Sequence, residues 1–161
     1  CSVNRIRTAV IGTGFMGRMH SNAYRQANIF FPSDIAACTK VLCARDAGRA
    51  KEFAERWGWQ DTETDWRKLL DRKDVDLIDI CVPNMLHRDI AIAALQAGKM
   101  VATEKPLALN AQQGKEMVDA AAKSGKRVRS WARNISLWFV QVLGVWQDSH
   151  WKPISPRCAS L

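Results

Sequence analysis

The sequence lacks the features that mark a secreted, membrane-spanning or disulfide-rich protein. Its five cysteines include no CxxC pair, so we predict neither a disulfide framework nor a bound metal, and the pattern indicates a reducing compartment. No run approaches the roughly 18 apolar residues that a membrane span needs. No signal-peptide core precedes the first strand pattern. We therefore expect a cytoplasmic protein with no membrane partner.

The sequence also lacks a basic stripe interleaved with aromatic residues, although its net charge is +8. Residues 1–125 hold 18 basic and 15 acidic side chains, whereas residues 126–161 hold 6 basic and 1 acidic. The main body therefore has a surface of mixed charge, and we expect no nucleic-acid partner. With 161 residues, 47% of them hydrophobic, the chain has material for one domain with its own core.

Strand and helix patterns alternate along the chain as far as residue 125. The predicted strands cover residues 6–11, 40–44, 76–82 and 100–103. The predicted helices cover residues 15–26, 47–57, 64–71, 86–97 and 111–123, and residues 28–36 are predicted to form a loop. Thr64 or Asp65 is expected to cap the third helix. This alternation predicts an α/β fold with a doubly wound parallel sheet.

A glycine-rich loop follows the first predicted strand. It matches G-x-G-x-x-G and consists of Gly12, Thr13, Gly14, Phe15, Met16 and Gly17. In a Rossmann fold the first glycine permits the tight turn, the second lets the backbone approach a pyrophosphate, and the third allows close helix–strand packing. The helix that follows presents free N–H groups and a positive dipole end to the phosphates. The loop predicts a dinucleotide site, although by itself it leaves S-adenosylmethionine open as the ligand.

The residues after the second predicted strand bear on the choice between NAD and NADP. An acidic side chain there accepts hydrogen bonds from the adenosine ribose, whereas a 2′-phosphate needs a small residue and a nearby Arg. Ala44 stands at the expected acidic position and Arg45 follows it, which favours NADP. Asp46 is two residues further on, and a short shift in register would restore the NAD interpretation.

Two further strand ends carry polar residues that we expect at the ligand crevice, because that crevice lies at the carboxyl ends of parallel strands. Pro83, Asn84 and His87 follow one strand, and Glu104 and Lys105 follow the next. A desolvated Lys loses its proton more readily and can orient a substrate hydroxyl. The alternatives are that His87 packs against its own helix and that Lys105 is a surface residue.

Several segments in order resemble the Gfo/Idh/MocA oxidoreductase family. They are residues 10–17 with His20, Pro83-Asn84 with His87, Ala97-Gly98-Lys99, and Glu104-Lys105-Pro106, with residues 57–59 and 64–67 similar to the stretch between the second and third strands. The match covers roughly residues 5–125. The ordered set is far more specific than any one motif.

The resemblance implies an NAD(P)-dependent dehydrogenase that acts on a sugar, inositol or related polyol. It implies that Lys105 is the catalytic residue near the nicotinamide and that Pro83, Asn84, His87 and Glu104 line the cofactor crevice. His20 is interpreted as structural. Ala44 and Arg45 resemble the family's NADP-using members, so we expect NADP or NAD with NADP favoured.

The resemblance also implies a C-terminal α+β domain with a catalytic Asp/His pair, which we expect to be missing or truncated here. We predict a Rossmann domain over residues 1–125. We predict an anomalous Trp-rich tail over residues 126–161, a truncated, frameshifted or wrongly joined reading from about residue 127. The alternative is a genuine segment that packs on the sheet edge.

Three functional hypotheses follow. The first is an incomplete copy of such an oxidoreductase, a homo-oligomer if a full-length protein exists, and the second is a non-catalytic dinucleotide-binding module. The third, a methyltransferase, is disfavoured by Glu104-Lys105-Pro106.

Overall fold

The computed structural model describes residues 4–30, 35–125 and 128–130. Its strands are β1 (Asn4–Ile11), β2 (Ile35–Cys43), β3 (Asp61–Glu63), β4 (Leu77–Ile80), β5 (Met100–Thr103) and β6 (Val128–Ser130). Its helices are α1 (Phe15–Phe30), α2 (Ala47–Trp57), α3 (Lys68–Asp71), α4 (His87–Gln96) and α5 (Ala111–Ser124). A 3₁₀ turn over Asn84–Leu86 leads into α4.

The six strands form one sheet in the order β3-β2-β1-β4-β5-β6, and every neighbouring pair is parallel. The chain therefore runs from β1 outwards to β3, and then returns to β4 on the other side of β1. This reversal confirms the predicted doubly wound sheet, and it places the topological switch point between β1 and β4.

Helices cover both faces of the sheet, because alternate strand residues point to opposite sides. Ala9, Ile11, Ile78 and Ile80 pack with α4 and α5 in one core cluster. Val10 and Leu42 pack with Tyr24 of α1 and with Phe53 of α2 in the other. In the described part of the chain no helix is long and apolar enough to cross a bilayer.

The sheet has one more strand at each edge than the sequence predicts. The strand β3, Asp61–Glu63, pairs with β2 but was not predicted, because three polar residues carry no hydrophobic periodicity. The strand β6 begins at Val128 and pairs with β5, three residues beyond the predicted limit of the domain at 125. The predicted anomalous tail lies otherwise outside the described residues.

The prediction of a loop over residues 28–36 is wrong. Helix α1 continues to Phe30 and β2 begins at Ile35, and residues 31–34 lie outside the described part. The side chain of Asn28 links the two elements, donating to the carbonyl of Ala37 at 2.8 Å and accepting from its N–H at 2.9 Å. Small, half-buried residues at the start of β2 do not produce the apolar run that predicted the strand from residue 40.

The prediction for the third helix is wrong at its start. The helix α3 covers only Lys68–Asp71, and no side chain caps it. Glu63 Oε1 accepts the N–H of Thr64 at 2.8 Å, and Asp65 Oδ1 accepts the N–H of Arg67 at 3.0 Å. These side-chain bonds hold residues 64–67 in a turn and compete with helix formation.

Two glycines of the first loop are required by close backbone packing. Gly12 has a φ of 116°, and a Cβ there would lie 2.5 Å from the carbonyl oxygen of Cys81. A Cβ at Gly17 would overlap the carbonyl oxygen of Gly12. Gly14 differs, since a Cβ there would meet no atom of the described residues within 4 Å. The first and third glycines therefore serve packing, and the second lies against open space.

We expect Gly17→Ala to lower the free energy of unfolding by about 1–3 kcal/mol, because the methyl group would push α1 away from the backbone of Gly12. Urea denaturation of the wild type and the variant measures the difference. Gly114→Ala is the matched control, since its Cβ would meet only the Leu107 side chain at 4.0 Å. That variant should be more stable by up to about 1 kcal/mol. Equal effects of the two variants would contradict this packing argument.

Candidate functional site

The loops that carry the predicted site residues meet at one edge of the sheet. Backbone hydrogen bonds continue the parallel ladder into them: Gly12 N–H donates to Cys43 at 2.9 Å, Cys81 N–H to Ile11 at 2.9 Å and Glu104 N–H to Ile80 at 3.1 Å. The loops after β1, β2, β4 and β5 therefore lie side by side at the carboxyl edge. This is the edge at which doubly wound sheets bind their ligands.

The glycine-rich loop lies at the switch point and leads directly into α1. Gly14 is exposed and Thr13 and Met16 are half-buried, while the side chain of Phe15 is 58% exposed. The first N–H groups of α1 therefore belong to residues at the crevice, as an anion site at a helix N-terminus requires.

The end of β2 separates the two candidates for the ribose site. Ala44 is half-buried, and its N–H donates to Glu63 at 3.0 Å. Arg45 is exposed, and its guanidinium has no hydrogen-bond or ion-pair partner within the described ranges. Asp46 is the N-cap of α2, where its Oδ1 accepts the N–H of Arg49 at 2.8 Å. The carboxylate of Asp46 is thus already used by its own helix.

The loop after β4 places one unpaired polar atom at the edge. Pro83 is exposed and Asn84 is half-buried. The Oδ1 atom of Asn84 is fully buried and has no hydrogen-bond partner in the described structure. A buried acceptor without a donor is unfavourable, so a ligand donor at this position would relieve it.

His87 is at the same edge, but its ring is only 1% exposed. Its Nδ1 lies 3.1 Å from the carbonyl oxygen of Pro106, and its Nε2 lies 2.9 Å from that of Val82. The ring therefore joins the loop after β4 to the loop after β5, and both of its nitrogens are occupied by backbone.

The loop after β5 carries one buried and one exposed charged residue. Glu104 is 6% exposed, and its Oε2 accepts the N–H of Lys105 at 3.2 Å. The Lys105 side chain is exposed, so its backbone is held while its ammonium group can reach solvent. Lys99 also belongs to the segments that resemble the family. It lies at the opposite edge of the sheet, where its Nζ donates to the carbonyls of Arg72 and Val75.

Beneath Glu104 lies a buried polar network that the sequence did not reveal. His20 Nδ1 is 2.7 Å from Asp79 Oδ2, and His20 Nε2 is 2.6 Å from Glu104 Oε1. The Tyr24 hydroxyl donates to the same Asp79 oxygen at 2.8 Å. His20 and Asp79 are fully buried. The signal available in the sequence was Asp79 itself, a carboxylate in the middle of an apolar strand.

The network shifts the acidity of its members. Burial would lower the pKa of His20, but the charge of Asp79 raises it well above the ordinary value. Burial and the Asp79 carboxylate together raise the pKa of Tyr24 and that of Cys81, the latter to about 12. These shifts favour the protonated form of the His20 ring and the neutral forms of Tyr24 and Cys81.

The same groups contain the atoms of a potential metal cluster. Ligand atoms of His20, Asp79 and Cys81 lie within 4.8 Å of one another. His20 and Asp79 contact each other directly, however, and Cys81 Sγ lies 3.9 Å from Asp79 Oδ1. These contacts are those of a hydrogen-bonded network, in which the ring and the thiol satisfy the carboxylate.

A family model matches residues 6–130 of the chain. It describes the Gfo/Idh/MocA oxidoreductases, whose NAD-binding domain has a Rossmann fold. The chain belongs to the Gfo/Idh/MocA family. This confirms the resemblance drawn from the glycine loop and the later motifs, and it extends the match through β6.

Three similar proteins illustrate the relationship. Levoglucosan dehydrogenase of Pseudarthrobacter phenanthrenivorans is 40% identical over 119 residues, which are 73% of this chain and 30% of the relative. Inositol 2-dehydrogenase of Salmonella typhimurium is 32% identical over 124 residues, or 76% of this chain and 35% of the relative. A solved levoglucosan dehydrogenase in complex with NADH superposes with a TM-score of 0.76 at 38% identity, covering 79% of this chain and 34% of that one. The chain thus spans about a third of the length of these relatives.

We expect Asp46→Ala to lower the free energy of unfolding by about 1 kcal/mol, because α2 would lose its N-terminal cap. Asp46→Asn should change it little, since the amide oxygen can accept the same bond from Arg49. Urea denaturation of both variants measures this. An equal loss in the two would show that the charge of Asp46, and not its capping bond, is what stabilises α2.

Proposed function

We propose that this chain is the NAD(P)-binding part of a dehydrogenase that acts on a sugar, inositol or related polyol. The observation that carries the proposal is the open space at Gly14, between two glycines that are closed by backbone packing. Packing accounts for Gly12 and Gly17, whereas no atom of the described residues fills the space at Gly14. The relatives named for levoglucosan and inositol support the substrate class.

The residues at the carboxyl edge fit such a cofactor. The glycine loop, residues 12–17, would hold the pyrophosphate with the first N–H groups of α1. The adenosine half would lie at the end of β2, and the nicotinamide half would then lie over the ends of β4 and β5. Pro83, Asn84 and Glu104 are there, and Asn84 Oδ1 offers the unpaired acceptor. His87 would shape this wall by joining its two loops, since its nitrogens are both occupied.

Lys105 is the residue that we propose to contact substrate. Its backbone N–H is held by Glu104, and its Nζ has no partner among the described residues, so it is available to donate a hydrogen bond to a substrate hydroxyl. When bound, the nicotinamide would supply hydride transfer. We propose catalytic turnover for the whole protein, and cofactor binding for this chain. A non-catalytic dinucleotide-binding module would need only the crevice itself.

We propose NADP as the preferred cofactor. Asp46, the alternative ribose acceptor, already caps α2 through the N–H of Arg49. Arg45 is exposed beside the half-buried Ala44, which leaves a small residue and a guanidinium where a 2′-phosphate would lie. The similar levoglucosan dehydrogenase structure holds NADH, so a preference for NADP would distinguish this chain from that relative.

We expect Gly14→Val to abolish NADP and NAD binding, because the side chain would occupy the space that the pyrophosphate needs. Isothermal titration of the full chain with each cofactor measures the loss. The fold should tolerate the variant, with stability changed by less than about 1 kcal/mol, since no atom lies near the added Cβ. A folded variant that binds NADP with unchanged affinity would disprove the phosphate site.

We expect Arg45→Ala to weaken NADP about tenfold to hundredfold and to leave NAD nearly unchanged, because a charge-assisted bond to the 2′-phosphate is lost. Ala44→Asp should reverse the preference, since a carboxylate repels the phosphate and accepts from the ribose hydroxyls. Binding of both cofactors by titration gives the ratio.

The control for Arg45→Ala and Ala44→Asp is Asp46→Asn, which keeps the cap of α2 and removes the charge of the side chain. If Arg45 selects NADP, the control should bind NAD as the wild type does. If Asp46 meets the ribose, NAD should weaken in the control and Arg45→Ala should change neither affinity, and the NADP proposal would be wrong.

A further inference from the structure

His20 joins three elements that approach the crevice from different directions. Its ring lies on α1, three residues after Gly17, and contacts Asp79 on β4 and Glu104 after β5. Asp79 is 59 residues away in sequence and Glu104 is 84 residues away. One side chain therefore connects the helix that begins at the glycine loop with the loop that carries Lys105.

The protons of this bridge can be assigned from its contacts. Each of the two contacts at His20 needs one proton between a ring nitrogen and a carboxylate oxygen. Asp79 also accepts from Tyr24, at 2.8 Å, and Cys81 Sγ lies 3.9 Å from its second oxygen. Glu104 uses its other oxygen to accept the N–H of Lys105. We infer that both carboxyl groups act as acceptors and that the ring supplies both protons, since each group already accepts a hydrogen bond from another donor.

The bridge places the His20 ring between two carboxyl groups in the interior. Asp79 is fully buried and Glu104 is 6% exposed. Two buried carboxylates without a cation would share a proton, because their mutual repulsion and loss of water disfavour the second charge. A protonated ring between them removes that penalty. It leaves Glu104 as a charged acceptor beneath the crevice.

We propose that His20 is a positioning residue, a protonated ring that fixes the Glu104 carboxylate and, through it, the backbone of Lys105 at the nicotinamide end of the site. This inference rests on the proposed function, because the crevice must bind a dinucleotide for the positioning to matter. His20 itself is fully buried, so it acts through Glu104 and does not touch the cofactor.

The first test examines the wild-type chain alone, by ¹⁵N-edited NMR of its histidine rings between pH 6 and pH 9. We expect the His20 ring to show two slowly exchanging N–H protons throughout this range, as an imidazolium held by two carboxylates should. A ring with a single N–H proton, or one that titrates near the ordinary value of 6.5, would overturn the proposal. This readout requires no cofactor.

The second test measures NADP and NAD affinity in His20→Asn, Glu104→Gln and the double variant. We expect each single variant to weaken the preferred cofactor about tenfold. The double variant should be no weaker than the weaker single variant, because both changes disturb the same Glu104 side chain at the nicotinamide end of the crevice. Additive losses in the double variant would mean that His20 does not act through Glu104.

The matched control is Ser21→Ala, on the same helix and equally buried. Ser21 accepts from Trp59 Nε1 at 3.0 Å and donates to Gly17 at 2.7 Å, and none of these contacts reaches Glu104. It should lose stability but change cofactor affinity less than twofold. A loss of affinity equal to that of His20→Asn would mean that destabilised packing of α1 is sufficient, and the positioning role would be wrong.

Failure of the proposed function and failure of the positioning role give different results. A wild type that binds neither NADP nor NAD would contradict the proposed function, and the ring protons would still decide whether the bridge exists.

If His20→Asn fails to fold, Glu104→Gln replaces it, with hydrogen exchange of the Lys105 amide as the readout. We expect exchange at least about tenfold faster than in the wild type, because the Gln side chain has one acceptor oxygen for two donors, and the His20 ring competes for it with the Lys105 N–H. Unchanged exchange would overturn the proposal.

Discussion

The close approach of backbone to backbone around Gly12 is the constraint on which this structure depends. The carbonyl of Cys81, at the end of β4, leaves no room for a side chain at Gly12, and the carbonyl of Gly12 leaves none at Gly17. These two contacts bring the end of β1, the end of β4 and the start of α1 together. Because parallel strands end at a common edge, the same contacts bring the loops after β4 and β5 beside the glycine loop. The crevice is therefore formed by main-chain packing before any polar side chain is considered.

Polar side chains at this edge fall into two groups. Asp46, His87 and Glu104 are occupied by the protein itself: by the cap of α2, by two loop carbonyls, and by His20 with the Lys105 amide. Arg45, Lys105 and the Oδ1 atom of Asn84 have no partner in the described structure. The first group contributes to the shape of the crevice. Of the second group, the Arg45 and Lys105 side chains are exposed, whereas the Asn84 oxygen is buried. This division assigns shape and recognition to different residues.

The buried bridge places polar groups in the interior, where apolar residues of similar size are often at least as stabilising. Asp79 alternates with Ile78 and Ile80 on a strand covered on both faces, and an apolar residue would fit its position without desolvating a charge. Removing one member of a buried ionic group is costly, whereas a well-packed apolar group is often as stable as the whole. A local departure from the hydrophobic pattern of this kind is typical of functional sites. The positioning of Glu104 that we propose accounts for the network around His20 without requiring a gain in stability.

Local patterns in the sequence determined the alternation of strands and helices, the glycine loop, and the edge on which the site residues lie, because each depends on neighbours in the chain. The helix α2 with its cap at Asp46 and its end at Gly58 depends on the same kind of local signal. The short polar strand β3 and the start of β2 had no such signal and were missed. Only the tertiary structure decided that His20 meets both Asp79 and Glu104, and that the ring of His87 faces two carbonyls. Those contacts join residues from separate elements, so their geometry depends on how the helices and loops pack on the sheet and cannot be read from spacing along the chain.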